Sequence, residues 1–379
     1  METQSSVDDA VTAAGSAVGP VTDSVAGSGV IRLLVCDGSA LVRSEMTRLL
    51  VGHPSIKLVD CARNLREAVE KTGTLHPDVV MIDVESPTFG GPQVVAEILR
   101  AGSTPAGEAP IVLACCRESN AGAHTGLRAL FEGASDVLVL CGERLSKEPE
   151  ACRDELVRAA IVLHAARATG RGLNVRFPGC SAAVLELHRT SIIGIGAGEG
   201  GPAALESLLA MLPPALPCPI VIAQRLPTGF TRALAERLDG VTAISVVHGE
   251  SGMPLHPGVA YVIPSGRVGR PRSLGPGPAR LELSPAADAD SCVDELFSSC
   301  ARQARSACVG IALSGTGQDG SRGGREVRAA GGVLLAQSTS EVAFAGMAEA
   351  ALRAGAIEAS VEQIASGLAS LAVPLARAA

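Results

Sequence analysis

At 379 residues the chain is long enough for two domains of ordinary size, each burying its own core. A formal net charge of -7 and an aromatic content of 2% argue against nucleic acid as a partner: neither cations for a phosphate backbone nor rings for base stacking are in supply. Cores must come from Ala, Val, Leu and Ile, which dominate the 47% hydrophobic fraction, yet no run is long and apolar enough to insert into a membrane. Eleven cysteines without a C-x-x-C pair, and no signal peptide, suit thiols in a reducing cytoplasm rather than a disulfide framework.

Residues 1–29 lack both helical and strand periodicity and read as a disordered tail. From Ile31 short apolar runs alternate with amphipathic stretches: Ile31 to Cys36, Leu41 to Val51, Ile56 to Cys61, Leu65 to Lys71, Val79 to Asp83, Val94 to Leu99, Ile111 to Cys116, Gly126 to Phe131 and Val137 to Leu140. Five strands alternating with helices predict a doubly wound parallel sheet over residues 30–142. A helix from Cys152 to Ala168 and a Gly- and Arg-containing connection make residues 143–189 a helix and linker. A second α/β domain is expected over 190–376.

Asp37 and Asp83 each close an apolar run, which places two carboxylates at the C-terminal edge of the first sheet, where open α/β sheets bind ligands. Such carboxylates can hold Mg²⁺ or accept a phosphoryl group, or simply cap a helix. The surrounding stretches, Cys36-Asp37-Gly38-Ser39-Ala40-Leu41-Val42-Arg43 and Pro77-Asp78-Val79-Val80-Met81-Ile82-Asp83-Val84-Glu85-Ser86-Pro87, resemble the receiver domain of response regulators. The resemblance implies a flavodoxin-like fold, Asp83 as phospho-acceptor, and Asp37 with Asp83 as Mg²⁺ ligands. The second acidic position is Gly38, the Ser/Thr position falls in Ala114-Cys115-Cys116, and the Lys-Pro position is Leu140-Cys141, so a weak Mg²⁺ site and a degenerate receiver are expected.

The second half opens on Ser191-Ile192-Ile193-Gly194-Ile195-Gly196-Ala197-Gly198-Glu199-Gly200-Gly201-Pro202, a strand breaking into a Gly-rich turn ahead of a helix. Such a turn presents either a nucleophile or only backbone, and Gly196, Gly198 and Gly201 satisfy the G-x-G-x-x-G of dinucleotide sites. Further stretches follow: Gln224-Arg225-Leu226-Pro227-Thr228-Gly229-Phe230-Thr231, then Pro257 to Pro264, Val293 to Phe297, Ile311 to Gly320, and Phe344-Ala345-Gly346-Met347. Together these resemble the catalytic domain of the chemotaxis protein-glutamate methylesterase family, itself a receiver joined to an esterase. The implied fold is two doubly wound, mainly parallel three-layer α/β domains, the second Rossmann-like.

That family hydrolyses glutamate methyl esters on chemoreceptor signalling helices with a Ser-His-Asp set and no cofactor in the esterase domain. The resemblance places the serine at Gly198, the histidine at Arg225 and the aspartate at Asp319, so only the orienting carboxylate is retained. Glycine has no nucleophile and arginine stays protonated. An Arg225 to Asp319 ion pair is expected in place of the lost hydrogen bond, with Glu199, Thr228, Thr231 and Ser314 as nearby polar groups. All seven histidines read as solvated or packed. The expectation is a cytoplasmic pseudoenzyme that binds chemoreceptor helices, with a chemotaxis histidine kinase as the other partner the receiver half allows. The alternatives are an active methylesterase or deamidase with a rebuilt site, and a dinucleotide-binding protein.

Overall fold

The computed structural model describes residues 29–103, 109–140, 142–170, 191–273, 277–288 and 291–372, so the expected tail and most of the expected linker lie outside the described residues. The first domain runs β1 (Ile31–Cys36), α1 (Ala40–Leu50), β2 (Ile56–Ala62), α2 (Leu65–Leu75), β3 (Val79–Asp83), α3 (Val94–Gly102), β4 (Ile111–Cys115), α4 (Asn120–Phe131), β5 (Asp136–Leu138), α5 (Gly142–Lys147) and α6 (Pro149–Gly170). The strands form one parallel sheet in the order β2-β1-β3-β4-β5. Successive β1 side chains face opposite ways: Leu34 and Cys36 join one apolar cluster, Leu33 and Val35 the other. Both faces are therefore covered by helices, as a buried parallel sheet requires.

Two helix starts show why the elements begin where they do. Ser39 caps α1 by accepting from the Val42 N–H, and Asn64 caps α2 by accepting from the Glu67 N–H. The closing helix α6 starts earlier than the sequence suggests, at Pro149, and buries Cys152, Leu156, Ala160 and Leu163 in the cluster beneath β1 and β3. Much of the stretch expected as helix and linker thus belongs to the first domain's core.

The second domain runs β6 (Ile192–Ala197), α7 (Gly201–Ala210), β7 (Ile220–Gln224), α8 (Phe230–Val241), β8 (Ser245–His248), β9 (Val259–Val262), β10 (Arg267–Arg272), β11 (Arg280–Pro285), α9 (Cys292–Ala304), β12 (Cys308–Ala312), α10 (Ser321–Ala329), β13 (Val333–Gln337), α11 (Gly346–Arg353), β14 (Ile357–Ala359) and α12 (Val361–Ala369). Its main sheet is parallel in the order β14-β13-β12-β6-β7-β9-β8, and β10 with β11 forms an antiparallel hairpin. The chain leaves β6 toward β7 and later returns to β12 on the other side. The two connections diverge above the C-terminal ends of β6 and β12, and a crevice opens there. The equivalent point of the first sheet lies between β1 and β3.

The glycines of β6 are explained by packing. A Cβ on Gly196 would lie 2.1 Å from Val293 Cγ1, and one on Gly194 3.2 Å from Cys300 Sγ, so α9 rests directly on the strand. A Cβ on Gly201 would meet Gln224 Oε1 at 2.4 Å. The G-x-G-x-x-G pattern therefore reflects close protein contacts, and the dinucleotide alternative loses its main support.

The two domains are packed together through α4, which lies against α8 and α7. Phe230 is buried at this seam, and a Cβ on Gly126 would come within 2.8 Å of its ring. The Arg237 guanidinium stacks 3.8 Å above the Phe131 ring while pairing with Glu206 at 2.7 Å, and His124 faces Glu236 at 3.2 Å. Apolar side chains of both domains merge into one cluster across this seam.

Candidate functional site

The turn after β6 carries Gly198 at the switch point of the second sheet. Its N–H donates to Ser314 O at 2.8 Å and its carbonyl accepts from Gly201 N at 2.9 Å and from Gln224 Nε2 at 2.8 Å. Left-handed backbone is confined to Gly200 here, at φ 73°, so the turn's shape does not depend on glycine at 198. Position 198 is instead crowded: an added Cβ would stand 3.0 Å from Gly315 Cα, 3.1 Å from Arg225 Nη2 and 3.4 Å from Met347 Sδ.

Arg225, just beyond β7, reaches back over this turn. Its expected partner, Asp319, is not the one it takes. Among the described residues its ion-pair partner is Glu199, with Nη2 2.8 Å from Oε2 and 3.1 Å from Oε1. The same carboxylate accepts from the Thr316 N–H and the Thr316 hydroxyl, each at 2.9 Å. Arg225 Nη2 also donates to Thr316 Oγ1 at 3.1 Å and Thr316 O at 3.2 Å. Burial alone would raise the Glu199 pKa, but the guanidinium and the Thr316 N–H outweigh it and hold the carboxyl below its usual range. Glu199 is thus a fixed anion and a poor base.

Asp319 turns the other way. Its two oxygens accept from Val293 N at 3.0 Å and Asp294 N at 2.8 Å, two amides in the first turn of α9, a favoured place for a carboxylate. Burial nonetheless raises its pKa to about 6 against those two hydrogen bonds. The competition that decides the pairing is geometric: Glu199 sits one residue beyond the crowded turn, beneath the guanidinium, whereas Asp319 is tied to a helix end.

The other polar neighbours are structural or remote. The Ser314 hydroxyl donates to Glu199 O at 2.7 Å and accepts from Phe344 N at 3.1 Å, pinning two loops together. Thr228 is exposed. Thr231 Oγ1 lies 3.2 Å from His248 Nε2, a hydroxyl–imidazole pair that no sequence spacing marks, but Thr231 is only 1% exposed and His248 Nδ1 has no hydrogen-bond partner among the described residues. Among the described residues no carboxylate bonds this imidazole, and burial closes the hydroxyl to an ester. The pair packs α8 against β8.

Above the turn lies a cavity of about 700 Å³ lined by both domains, with Asp136, Glu155 and Arg158 on one side and Glu199, Arg225 and Thr316 on the other. Asp136, at the start of β5, has its pKa raised to about 7, first by burial and then by the Glu199 charge. Asp136 carries no motif that would have marked it in the sequence, and Thr316 lies within the Ile311 to Gly320 stretch without having been singled out there.

In the first domain β1 and β3 bring Asp37 and Asp83 to one pocket, as their positions suggested. Asp37 is raised to about 6 by burial, partly offset by the Ser39 N–H, with the Asp83 charge adding to the rise. Asp83 is raised too, chiefly by burial, against the Glu85 N–H. A Cβ on Gly38 would meet Ser86 Oγ at 2.5 Å and Thr88 Oγ1 at 2.8 Å, so two hydroxyls fill the space a second acid would use. Leu140 lines the pocket where a cation is wanted. The cation that does line it is Arg117, held by Glu85 at 3.4 Å, which the Cys115-Cys116 stretch gave no reason to single out. Among the described residues no cluster of three or more His, Cys, Asp or Glu is placed to hold a metal ion.

The CheB methylesterase family model matches residues 193–368. A protein-glutamate methylesterase/protein-glutamine glutaminase of Geobacillus kaustophilus is 33% identical over 339 residues, spanning 87% of this chain and 95% of the relative. The chain belongs to the protein-glutamate methylesterase family. A relative of the same description from Anaeromyxobacter dehalogenans is 35% identical over 338 residues, spanning 88% and 94%. The catalytic domain of the Thermotoga maritima CheB methylesterase, a solved structure, is 28% identical, covering 48% of this chain and 98% of that one with a TM-score of 0.46. No helix among the described residues is long and apolar enough to cross a membrane.

Proposed function

We propose that this methylesterase-family chain does not cleave esters and serves as a binding and regulatory module on chemoreceptor signalling helices. The observation that carries this reading is Arg225 at the position expected for the base, held by Glu199 beside a position 198 with no side chain. Acyl transfer needs a nucleophile and a neutral base in hydrogen-bond reach of it, and this site offers a hydrogen atom and a permanent cation. Asp319 keeps the orienting role's place with nothing to orient. The receiver half is read as a weak phospho-acceptor: Asp83 takes the acceptor position, and Asp37 with Asp83 forms a poor Mg²⁺ site. A chemotaxis histidine kinase is its proposed partner, and the cytoplasm its proposed compartment.

The active-hydrolase reading needs a rebuilt nucleophile–base pair. Thr231 with His248 is the nearest to one, and its burial speaks against it. The test is methanol release from a methyl-esterified receptor fragment, alongside covalent labelling by a serine-directed phosphonate. Neither should exceed background, and stoichiometric labelling at any hydroxyl would overturn the proposal.

A further inference from the structure

Four donor–acceptor contacts converge on the Glu199 carboxylate: two from Arg225 Nη2, one from the Thr316 N–H and one from the Thr316 hydroxyl, all between 2.8 and 3.1 Å. The backbone on both sides of the donors is fixed without help from the Glu199 side chain. Arg225 N is tied to Ala197 O at 2.9 Å, and the loop bearing Thr316 is fixed by Gly315 N to Phe344 O at 3.0 Å and Ser314 N to Gln337 Oε1 at 3.1 Å. Arg225 and Thr316 also hold each other. The arrangement is therefore a preformed receptacle, and Glu199 enters it from a separate segment, the turn after β6.

We infer that Arg225 and Thr316 form a carboxylate-binding site that the protein fills with its own Glu199 side chain. The class of ligand follows from the surroundings. One guanidinium nitrogen, one amide and one hydroxyl match the two oxygens of a monoanionic carboxylate. Asp136, Glu155, Asp294 and Asp319 outnumber Arg158 in the lining of the adjoining cavity and disfavour a phosphate dianion more than a monoanion. The cavity gives a free carboxylate a route to the site, so an incoming acidic side chain would compete with Glu199 for the same donors. The inference deepens the non-hydrolytic reading of this site and rests on it, since a tethered occupant excludes turnover.

Emptying the receptacle is the test. In the full chain, Glu199→Ala should gain a saturable rise of several degrees in its melting midpoint with sodium acetate, relative to sodium chloride at equal ionic strength. The unmodified chain should melt alike in both salts, and Glu199→Ala with Arg225→Ala should lose the acetate response. An equal response to both salts in Glu199→Ala, an acetate response of the same size in the unmodified chain, or a response to phosphate instead of acetate would each overturn the inference. Should Glu199→Ala not accumulate as folded protein, its refolding yield from urea must rise with acetate and not with chloride, and equal yields refute the site. Methanol release by the unmodified chain would overturn the non-hydrolytic reading without touching the acetate result, so the two failures are distinguishable.

Discussion

Restoring the lost side chains probes the esterase site most directly, and the geometry shows why Gly198→Ser with Arg225→His is insufficient. The hydroxyl-bearing side chain would press on Gly315 Cα at 3.0 Å and on Arg225 Nη2 at 3.1 Å. Arg225→His relieves the second contact and leaves the first, an overpacking cost of about 1–3 kcal/mol. It also strips Glu199 of its cation. Orphaning one partner of a fully buried pair costs about 3–5 kcal/mol, and discounting for a guanidinium 27% exposed and a carboxylate 15% exposed leaves about 2 kcal/mol. Glu199→Ala removes that orphaned charge and frees the Thr316 N–H to face a developing oxyanion. The triple variant Gly198→Ser, Glu199→Ala, Arg225→His should therefore melt several degrees above the double variant. Asp319 keeps lone pairs beyond the two it gives to Val293 and Asp294, and above a pH of about 7 it is ionised and able to orient the new imidazole. A positioned base contributes about 10²–10⁴-fold, so even a misaligned one should lift methanol release from an esterified receptor fragment about tenfold over the unmodified chain at pH 8. A double variant as stable as the triple would refute the ion-pair accounting. A folded triple variant with no added release would refute Thr316 as an oxyanion donor.

The cavity between the domains should give the protein an inverse pH dependence. The folded state holds the Asp136 proton more tightly than the unfolded chain, raising its pKa from 3.8 to about 7, so this group's contribution to stability falls as pH rises through that window, by a few kcal/mol at most. Asp37 and Asp319, both raised to about 6, act in the same direction, so Asp136→Asn should flatten denaturation midpoints between pH 5 and 8 without levelling them, and an unchanged slope would refute the role of Asp136. At the domain seam, Gly126→Val drives a side chain into Phe230, Val137 and Cys116, and should speed hydrogen exchange in α4 and α8 while expanding the small-angle scattering profile; unaltered exchange would mean that α4 does not carry the docking. Acetyl phosphate with Mg²⁺ should phosphorylate Asp83 poorly, and a stable phosphoryl group lost in Asp83→Asn would overturn the weak-receiver reading.

The first sheet was legible because its strands are short apolar runs, with Asp37 and Asp83 closing two of them at the edge where ligands sit, and that pattern is local; the second sheet was expected from the family resemblance. Parallel pairing then brings Asp37 next to Asp83, and Gly198 next to Arg225, since each lies at or just past the C-terminal end of one of two adjacent strands, β1 with β3 and β6 with β7. Partner choice was not local. Glu199 and Asp319 are both carboxylates that the quoted stretches bring toward Arg225, and what separates them is that the α9 amides hold the second. Asp136 and Arg117 belong to no spacing pattern, and Thr316, though inside the Ile311 to Gly320 stretch, reaches Arg225 only through the folded sheet. The β10–β11 hairpin was missed for a simpler reason: Gly269 and Pro271 interrupt the alternation that marks a strand, and a Cβ at 269 would strike Ile263 at 2.4 Å.

Gly198, Glu199 and Arg225 make sense as one set more than as three separate losses. A guanidinium with a permanent charge, three-quarters buried at a sheet edge, requires a carboxylate within reach. Asp319 is held at a helix end, so the acid comes from the neighbouring turn, and Glu199 supplies it from one residue past position 198. The guanidinium must then pass close over that turn, 3.1 Å from where a side chain at 198 would begin, and glycine is the residue that lets it do so. Each member is thus constrained by the other two. A double-mutant cycle should register this: Gly198→Ser and Arg225→His together should destabilise less than the sum of the single changes, because the second removes the group the first collides with. Strict additivity would mean that the crowding at 198 comes from the Gly315 backbone alone, and that glycine there owes nothing to the arginine.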